Sequence, residues 1–335
     1  MRHVAWPRPR PRPRPCSLGL LGASATTPAL GSLPPAHDYE AATAAAAPAR
    51  PRLADGAQRR GLSVLQHRHL GIVPYDAAQE IQERHRSRFL GWKALPESAR
   101  HRADSPGPLL LSFESTPTFT LGRRQRDLTD AQAAHLRRPL RVSLPRRREP
   151  VELAFRPDVR KTSRGGLTTY HGPGQLVLWP VIDMHSPLHA PYGVASYASH
   201  LEATTRRLLA QLFGVRASTV HDEPGVWVAA DTDRPRKIAA LGVHHRRHVT
   251  ALGIAVNFDI PVTGDELVNP WSRFVPCGLH GKLVTSVAAE VGAAAPAAWD
   301  LEKLAERWAA IFEEGLLDER MRGATDGEAD TRLKR

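Results

Sequence analysis

Cysteine is nearly absent: the 335-residue chain has two, Cys16 and Cys277. A disulfide scaffold is thereby excluded, and a chain of this length has interior enough to fold without one. Aromatic residues make up 6%, too few for the interleaved stacking platforms of single-strand nucleic-acid binders. Clean apolar runs of the roughly 20 residues that span a membrane are missing. The best candidate, Ser17 to Ala36, is broken by Pro28, Pro34 and Pro35. Cys277 lacks the paired spacing of a zinc site, and Ser63 and Ser286 lack the G-x-S-x-G elbow of a hydrolase. What remains, 41% hydrophobic and 24% charged residues, is the composition of a globular protein.

Positive charge is plentiful and uneven. Residues 1–62 carry nine Arg, no Lys and three acidic residues, and so hold half of the formal charge of +12. Pro–Arg alternation from Pro7 to Pro15 blocks helix, because each Pro lacks a donor and restricts the residue before it. The stretch is Arg-rich and acid-poor, as organelle transit peptides are. Arg59-Arg60-Gly61-Leu62-Ser63 resembles a mitochondrial processing site; a tail with no address is the alternative. Without this segment Cys277 stands alone, which points to a reducing compartment or a thiol kept free. The chain therefore divides into residues 1–62 (transit peptide or disordered), 63–318 (one catalytic domain) and 319–335 (polar tail). The mildly basic body suits an acidic partner.

Apolar spacing predicts a helix over Tyr75 to Trp92 and another over Val194 to Phe213. A third follows Asp300 as N-cap. Strands are expected at Leu109 to Phe113, Thr118 to Leu121 and Gln175 to Ile182, with Pro180 arguing for an edge or a strand end. Lys237 to Val243 and Val249 to Asn257 read as a hairpin joined by His244 to His248. Arg138 to Arg160 reads as a loop or insertion. Interleaved strands and helices give an α/β (α+β) class.

Three segments can carry chemistry. In Arg164-Gly165-Gly166-Leu167-Thr168-Thr169-Tyr170-His171-Gly172-Pro173-Gly174-Gln175 the glycines force tight turns or close approach. The ending of a P-loop is missing, and the segment precedes a strand rather than the helix of a dinucleotide fingerprint. It lines a slot, or it is a Gly-rich turn around a satisfied His. Lys237 opens the apolar strand Ile238-Ala239-Ala240-Leu241-Gly242-Val243. Partial burial would suit it to proton transfer; a lysine snorkelling to solvent is the plainer reading. Pro276-Cys277-Gly278 brings backbone N–H groups close to a sulfur, which suits oxyanion stabilisation; a lone Cys is otherwise a small core residue. His244, His245 and His248 lie beside Arg246 and Arg247 and read as a solvated turn rather than a metal site.

Taken together, the order of RGGLTTYHGPGQLV (Arg164 to Val177), KIAALGV (Lys237 to Val243), Gly253-Ile254-Ala255-Val256-Asn257, Pro276-Cys277-Gly278 and Thr285-Ser286 resembles the lipoyl(octanoyl) transferase family over about residues 68–290. Ser115 stands where such sequences often have His, and Leu167 replaces a commonly polar residue. The resemblance implies a biotin/lipoate protein ligase-like mixed sheet with flanking helices. It implies transfer of octanoyl from acyl carrier protein to a lysine of lipoyl domains, in 2-oxoacid dehydrogenase complexes and the glycine cleavage H protein. Cys277 is then the thioester nucleophile, and Lys237 lowers its pKa and moves the proton. Arg164, Gly165, Gly166, Leu167, Thr168, Thr169, Tyr170 and His171, with Ala240, Leu241, Gly242, Gly253, Ile254 and Ala255, wall the acyl slot. No cofactor, metal, nucleic acid or membrane span is implied, and the mitochondrial matrix is the expected location. Two rivals are an ATP-dependent lipoate or biotin ligase of the same fold and a non-catalytic basic RNA-binding protein.

Overall fold

The computed structural model describes residues 64–100, 103–144, 151–230, 232–274 and 283–317. In chain order the first elements are β1 (Gln66–Val73), α1 (Tyr75–Ala94), α2 (Glu97–Arg100), β2 (Leu109–Ser115), β3 (Thr118–Leu121) and α3 (Asp130–Leu136). Next come β4 (Leu140–Leu144), β5 (Val151–Phe155), β6 (Asp158–Lys161), β7 (Thr168–His171), β8 (Gln175–Val181) and α4 (Val194–Phe213). The last are β9 (Ala217–Val220), β10 (Glu223–Val228), β11 (Arg236–Arg246), β12 (Val249–Asn257), β13 (Leu283–Val284), α5 (Val287–Val291) and α6 (Leu301–Leu317). The processing-site reading and both ends of the expected domain division fall on residues outside the described ones, as does Cys277.

The main sheet runs β1-β2-β8-β12-β11-β10-β9, with β13 beside β11. It is mixed: β1·β2 and β11·β13 are parallel, the other pairs antiparallel. Its central strands alternate between two cores. Leu176 and Leu178 of β8 and Ile254 and Val256 of β12 face α4 and α6, joining Leu201, Leu208, Trp308 and Phe312. Val177 and Trp179 of β8 and Ala255 of β12 turn to the other side, where Tyr75 and Ala78 of α1 and Phe113 of β2 meet them. A strand covered on both faces reads as an unbroken apolar run, which is why Gln175 to Ile182 shows no polar alternation. The helices also tie to one another, since Trp308 Nε1 donates to Thr205 Oγ1 at 3.0 Å. Among the described residues, no helix is long and apolar enough to cross a membrane.

Of the two readings of Pro180 the strand end holds: β8 is an interior strand, and Pro180 is its penultimate residue, paired with Leu110 but beyond the last β12 partner pair, Ile254↔Leu178. Its missing N–H therefore costs no bond on the β12 side. The stretch from Arg138 to Arg160 is not a loop but contains β4, β5 and most of β6. Leu140, Val142 and Leu144 alternate with Arg141 and Ser143 and bury themselves against Phe119, Tyr170 and Trp271. Flanking Arg and Pro obscure that period of two in the sequence. The expected hairpin is present, with β11 running on to Arg246. A two-residue turn remains, Arg247 at φ 49° and His248 at φ 67°, the positive pair that such tight hairpins need.

Candidate active site

A narrow cleft opens where β7, β8, β11 and β12 meet α1. Its walls are Arg164, Thr169, His171, Ala240, Leu241, Gly242, Gly253, Ile254 and Ala255, together with Tyr75, Trp179 and Leu252. Of the last three, Tyr75 is a weaker match to the same family pattern, while Trp179 and Leu252 were not picked out from the sequence. Leu252 lies outside the motif blocks and Trp179 two residues past one; only their packing toward α1 marks them.

Small residues make the space, and two glycines do so for different reasons. Gly242 and Gly253 are partners across β11 and β12. A Cβ on Gly242 would come within 3.0 Å of the Arg164 side chain, narrowing the cleft. One on Gly253 would lie 2.2 Å from the Leu178 backbone oxygen, which nothing can relieve. The neighbouring Leu252 takes φ 62°, a left-handed conformation costly for a branched residue. Its amide donates to Gln82 Oε1 of α1 at 3.1 Å, so the helix holds the irregular backbone at the cleft wall.

The remaining residues of the 164–171 segment have other places. Gly165, Gly166 and Leu167 dock as backbone: Gly122 N–H donates to the Leu167 carbonyl and Arg124 N–H to that of Gly166. Gly122 is required there, because a Cβ would strike the Gly166 oxygen at 2.4 Å. Thr168 Oγ1 donates to Gln125 Oε1 at 2.8 Å. Tyr170 points away from its neighbour His171, into the cluster with Phe119 and Trp271. Arg164 is buried and anchored, its Nη2 donating to Thr120 Oγ1 at 3.0 Å.

His171 stacks on Tyr75 at 5.4 Å. A row of amides fixes its tautomer. Asn257 Nδ2 donates to the Thr285 carbonyl at 2.9 Å, which leaves its Oδ1 as an acceptor. Gln175 Nε2 donates to that Oδ1 at 2.9 Å and to the Tyr170 carbonyl at 3.2 Å. Gln175 Oε1 must then accept, and the group facing it at 2.8 Å is His171 Nδ1, which carries the proton. Burial, the Arg164 cation and the Gln175 bond, in that order, set the His171 pKa; the first two prevail and hold it down to about 4. The ring is thus neutral near pH 7 and keeps a bare lone pair on Nε2. Burial likewise pushes the Tyr75 phenol well above its usual range.

Lys237 stands three residues before Ala240 on β11 and is buried, 7% exposed. It is not among the residues that wall the cleft. Its Nζ donates to the Pro224 carbonyl at 3.0 Å and lies 4.6 Å from the centre of the Trp227 ring. A bulge in the β10·β11 ladder sets Trp227 directly opposite Lys237. Beside it Thr285 N–H donates to the Lys237 carbonyl at 3.0 Å, and Val284 is in register with Lys237. The described chain thus stops at Phe274 and resumes at Leu283, next to the lysine; Pro276, Cys277 and Gly278 lie between, outside the described residues. Among the described residues, no three His, Cys, Asp or Glu side chains gather as metal ligands. His185, His245 and His248 stack at the hairpin tip instead.

Known proteins resemble a large part of this chain. A family model, the lipoyl protein ligase A/B catalytic domain, matches residues 94–313. The mitochondrial octanoyl-acyl-carrier-protein:protein N-octanoyltransferase of Danio rerio is 32% identical over 244 residues, covering 73% of this chain and 90% of its own. Its namesake from Xenopus tropicalis is 34% identical, covering 68% of this chain and 79% of its own. An octanoyltransferase of Chloroflexus aggregans is 35% identical over 248 residues, covering 73% and 93%.

Proposed function

The chain belongs to the lipoyl protein ligase A/B catalytic family and is an octanoyl-transferring acyltransferase, and from that premise we propose how its residues carry the reaction. Cys277 attacks the thioester carbonyl of octanoyl-acyl carrier protein as a thiolate, which the Lys237 ammonium stabilises. The carrier thiol departs with a proton from Lys237, leaving octanoyl on the Cys277 sulfur. A lipoyl-domain lysine then attacks that thioester, the amide forms, and its proton passes through Lys237 as the Cys277 sulfur is released. The donor is already activated, so no nucleotide and no metal is required.

The observation that carries this reading is the cleft. It is walled by Ala240, Gly242, Gly253 and Ala255, its His171 ring is neutral, the Arg164 guanidinium in its wall is anchored on Thr120, and it begins three residues from Lys237 on the same strand. Walls of such small residues suit an extended saturated chain. Residues 1–62 act as the transit peptide, and the enzyme works in the mitochondrial matrix on acidic carrier and lipoyl domains.

Intact mass of the full chain, mixed with octanoyl-acyl carrier protein and no ATP, tests the route. A hydroxylamine-labile octanoyl adduct on Cys277, lost in Cys277→Ala, is expected. An adduct persisting in that variant refutes the nucleophile. Octanoyl-adenylate formed only on adding ATP places the chain with the ligases.

A further inference from the structure

One peptide group lies between a carboxylate and the active-site ammonium. The carbonyl of Pro224 accepts from Lys237 Nζ at 3.0 Å. The N–H at the other end of the same peptide, on Gly225, donates to Glu202 Oε1 at 2.7 Å. Glu202 projects from the first half of α4, far from every motif of the active site in sequence. We propose that Glu202 is a positioning residue for Lys237, acting through the Pro224–Gly225 peptide; the inference rests on the proton-transfer role assigned to Lys237 above.

The physics is that of hydrogen bonds in series. A carboxylate on the N–H draws electron density toward the carbonyl oxygen, and the carbonyl holds the ammonium more strongly. The same contact pins the backbone. Gly225 takes φ 123°, and a Cβ there would stand 2.5 Å from the Ala239 oxygen and 3.5 Å from Lys237 Cε. The strand is therefore bare at the point where the lysine stem passes. Trp227 closes the other side of the ammonium. The charges that act on the Glu202 carboxylate are Lys237 from β11 and Arg206 one turn along α4. Burial outweighs them and raises its pKa above the usual value, so the negative charge is held at some cost and is spent on its partners.

Glu202→Gln separates charge from geometry, because the amide oxygen still accepts from Gly225 N–H. Losing the negative charge destabilises the ammonium and leaves more net positive field at the thiol. Both limbs of the acylation pH profile then move to lower pH, by about half a unit. Competitive acylation of surface and buried lysines, followed by peptide mass analysis, reads the titration of Lys237 itself and is expected to move the same way. Glu202→Ala, which also frees the backbone, is expected to slow octanoyl transfer to Cys277 by about tenfold at neutral pH. A residue with a merely structural role lowers the rate and leaves the profile in place.

A Lys237 titration unmoved in Glu202→Gln, with Lys237→Ala still inactive, overturns the Glu202 assignment and spares the lysine's role. Acylation undiminished in Lys237→Ala overturns both. The Gln variant keeps every hydrogen bond, so its melting temperature is expected to stay near that of the wild type, and the titration needs no turnover.

Discussion

The cleft and the lysine lie on one strand, three residues apart, and are assembled in opposite ways. The cleft is made of absence: small residues on β11 and β12, paired Gly242↔Gly253 and Ala240↔Ala255, leave a gap that their neighbours line. The lysine is surrounded by groups from β10, α4 and the chain entering α5, each placed by a different hydrogen bond. An apolar slot can be built by leaving out side chains along a regular ladder. A buried cation needs partners from several directions, because an uncompensated charge is far more costly to bury than a hydrocarbon wall.

The sharpest test of this contrast is Lys237→Ala. Acylation of Cys277, read by rapid mixing and mass analysis, is expected to slow by about 10²–10⁴-fold. Its pH profile should move upward, since the thiolate loses its cation. Binding of the acyl chain is expected to change little, because the lysine does not wall the cleft. Loss of binding together with rate would merge the two regions into one.

Next comes the cleft's own titratable group. Free histidine in an unfolded chain takes up its proton around pH 6.5, whereas His171 resists until about pH 4. Between these values the unfolded state binds the extra proton, so stability falls as the pH is lowered and the loss ends near pH 4. At 1.36 kcal/mol per unit the full change is about 3 kcal/mol. Urea unfolding of wild type and His171→Gln at pH 7 and pH 4.5 measures it; equal pH slopes would mean that the ring is protonated in the folded protein.

The smallest effect belongs to Gly242→Ala. The added methyl presses on the Arg164 side chain at 3.0 Å, a cost of about 1 kcal/mol. The consequence of interest is selectivity: hexanoyl carrier is expected to gain on octanoyl carrier in competing acylation. An unchanged ratio would show that the acyl chain does not pass this point.

How much of this was legible in the sequence follows the same division. Helix limits at Tyr75 and at Val194 to Phe213 follow from apolar spacing, with Pro74 before one and Gly214 in a left-handed cap after the other. Asp300 caps α6 as its position implied, accepting from Lys303 N–H at 3.0 Å. Nine of the fourteen residues expected at the slot line the cleft. Gly165, Gly166, Leu167, Thr168 and Tyr170 do not, since a contiguous motif contains residues of both faces and of the turn that holds it. β4 and β5 were hidden by the arginines and prolines that flank them. Glu202 and Pro224 carried no local signal at all: their meaning lies in contacts between residues 13 and 23 positions apart.

The amide row behind His171 has one further consequence. Its groups point in a single order, from ring to Gln175 to Asn257 to the Thr285 carbonyl, and two backbone oxygens that can only accept fix that order, Thr285 at its end and Tyr170 beside Gln175. The row therefore has a polarity, and a residue's fitness for it depends on which hydrogens it owns more than on its shape. Gln175→Glu matches the original almost atom for atom. Yet a carboxylate has no hydrogen to offer Tyr170 or Asn257, so two buried oxygens would face a third. The position does not suit its nearest chemical relative, and the histidine inherits its proton placement from the Thr285 carbonyl at the end of the row.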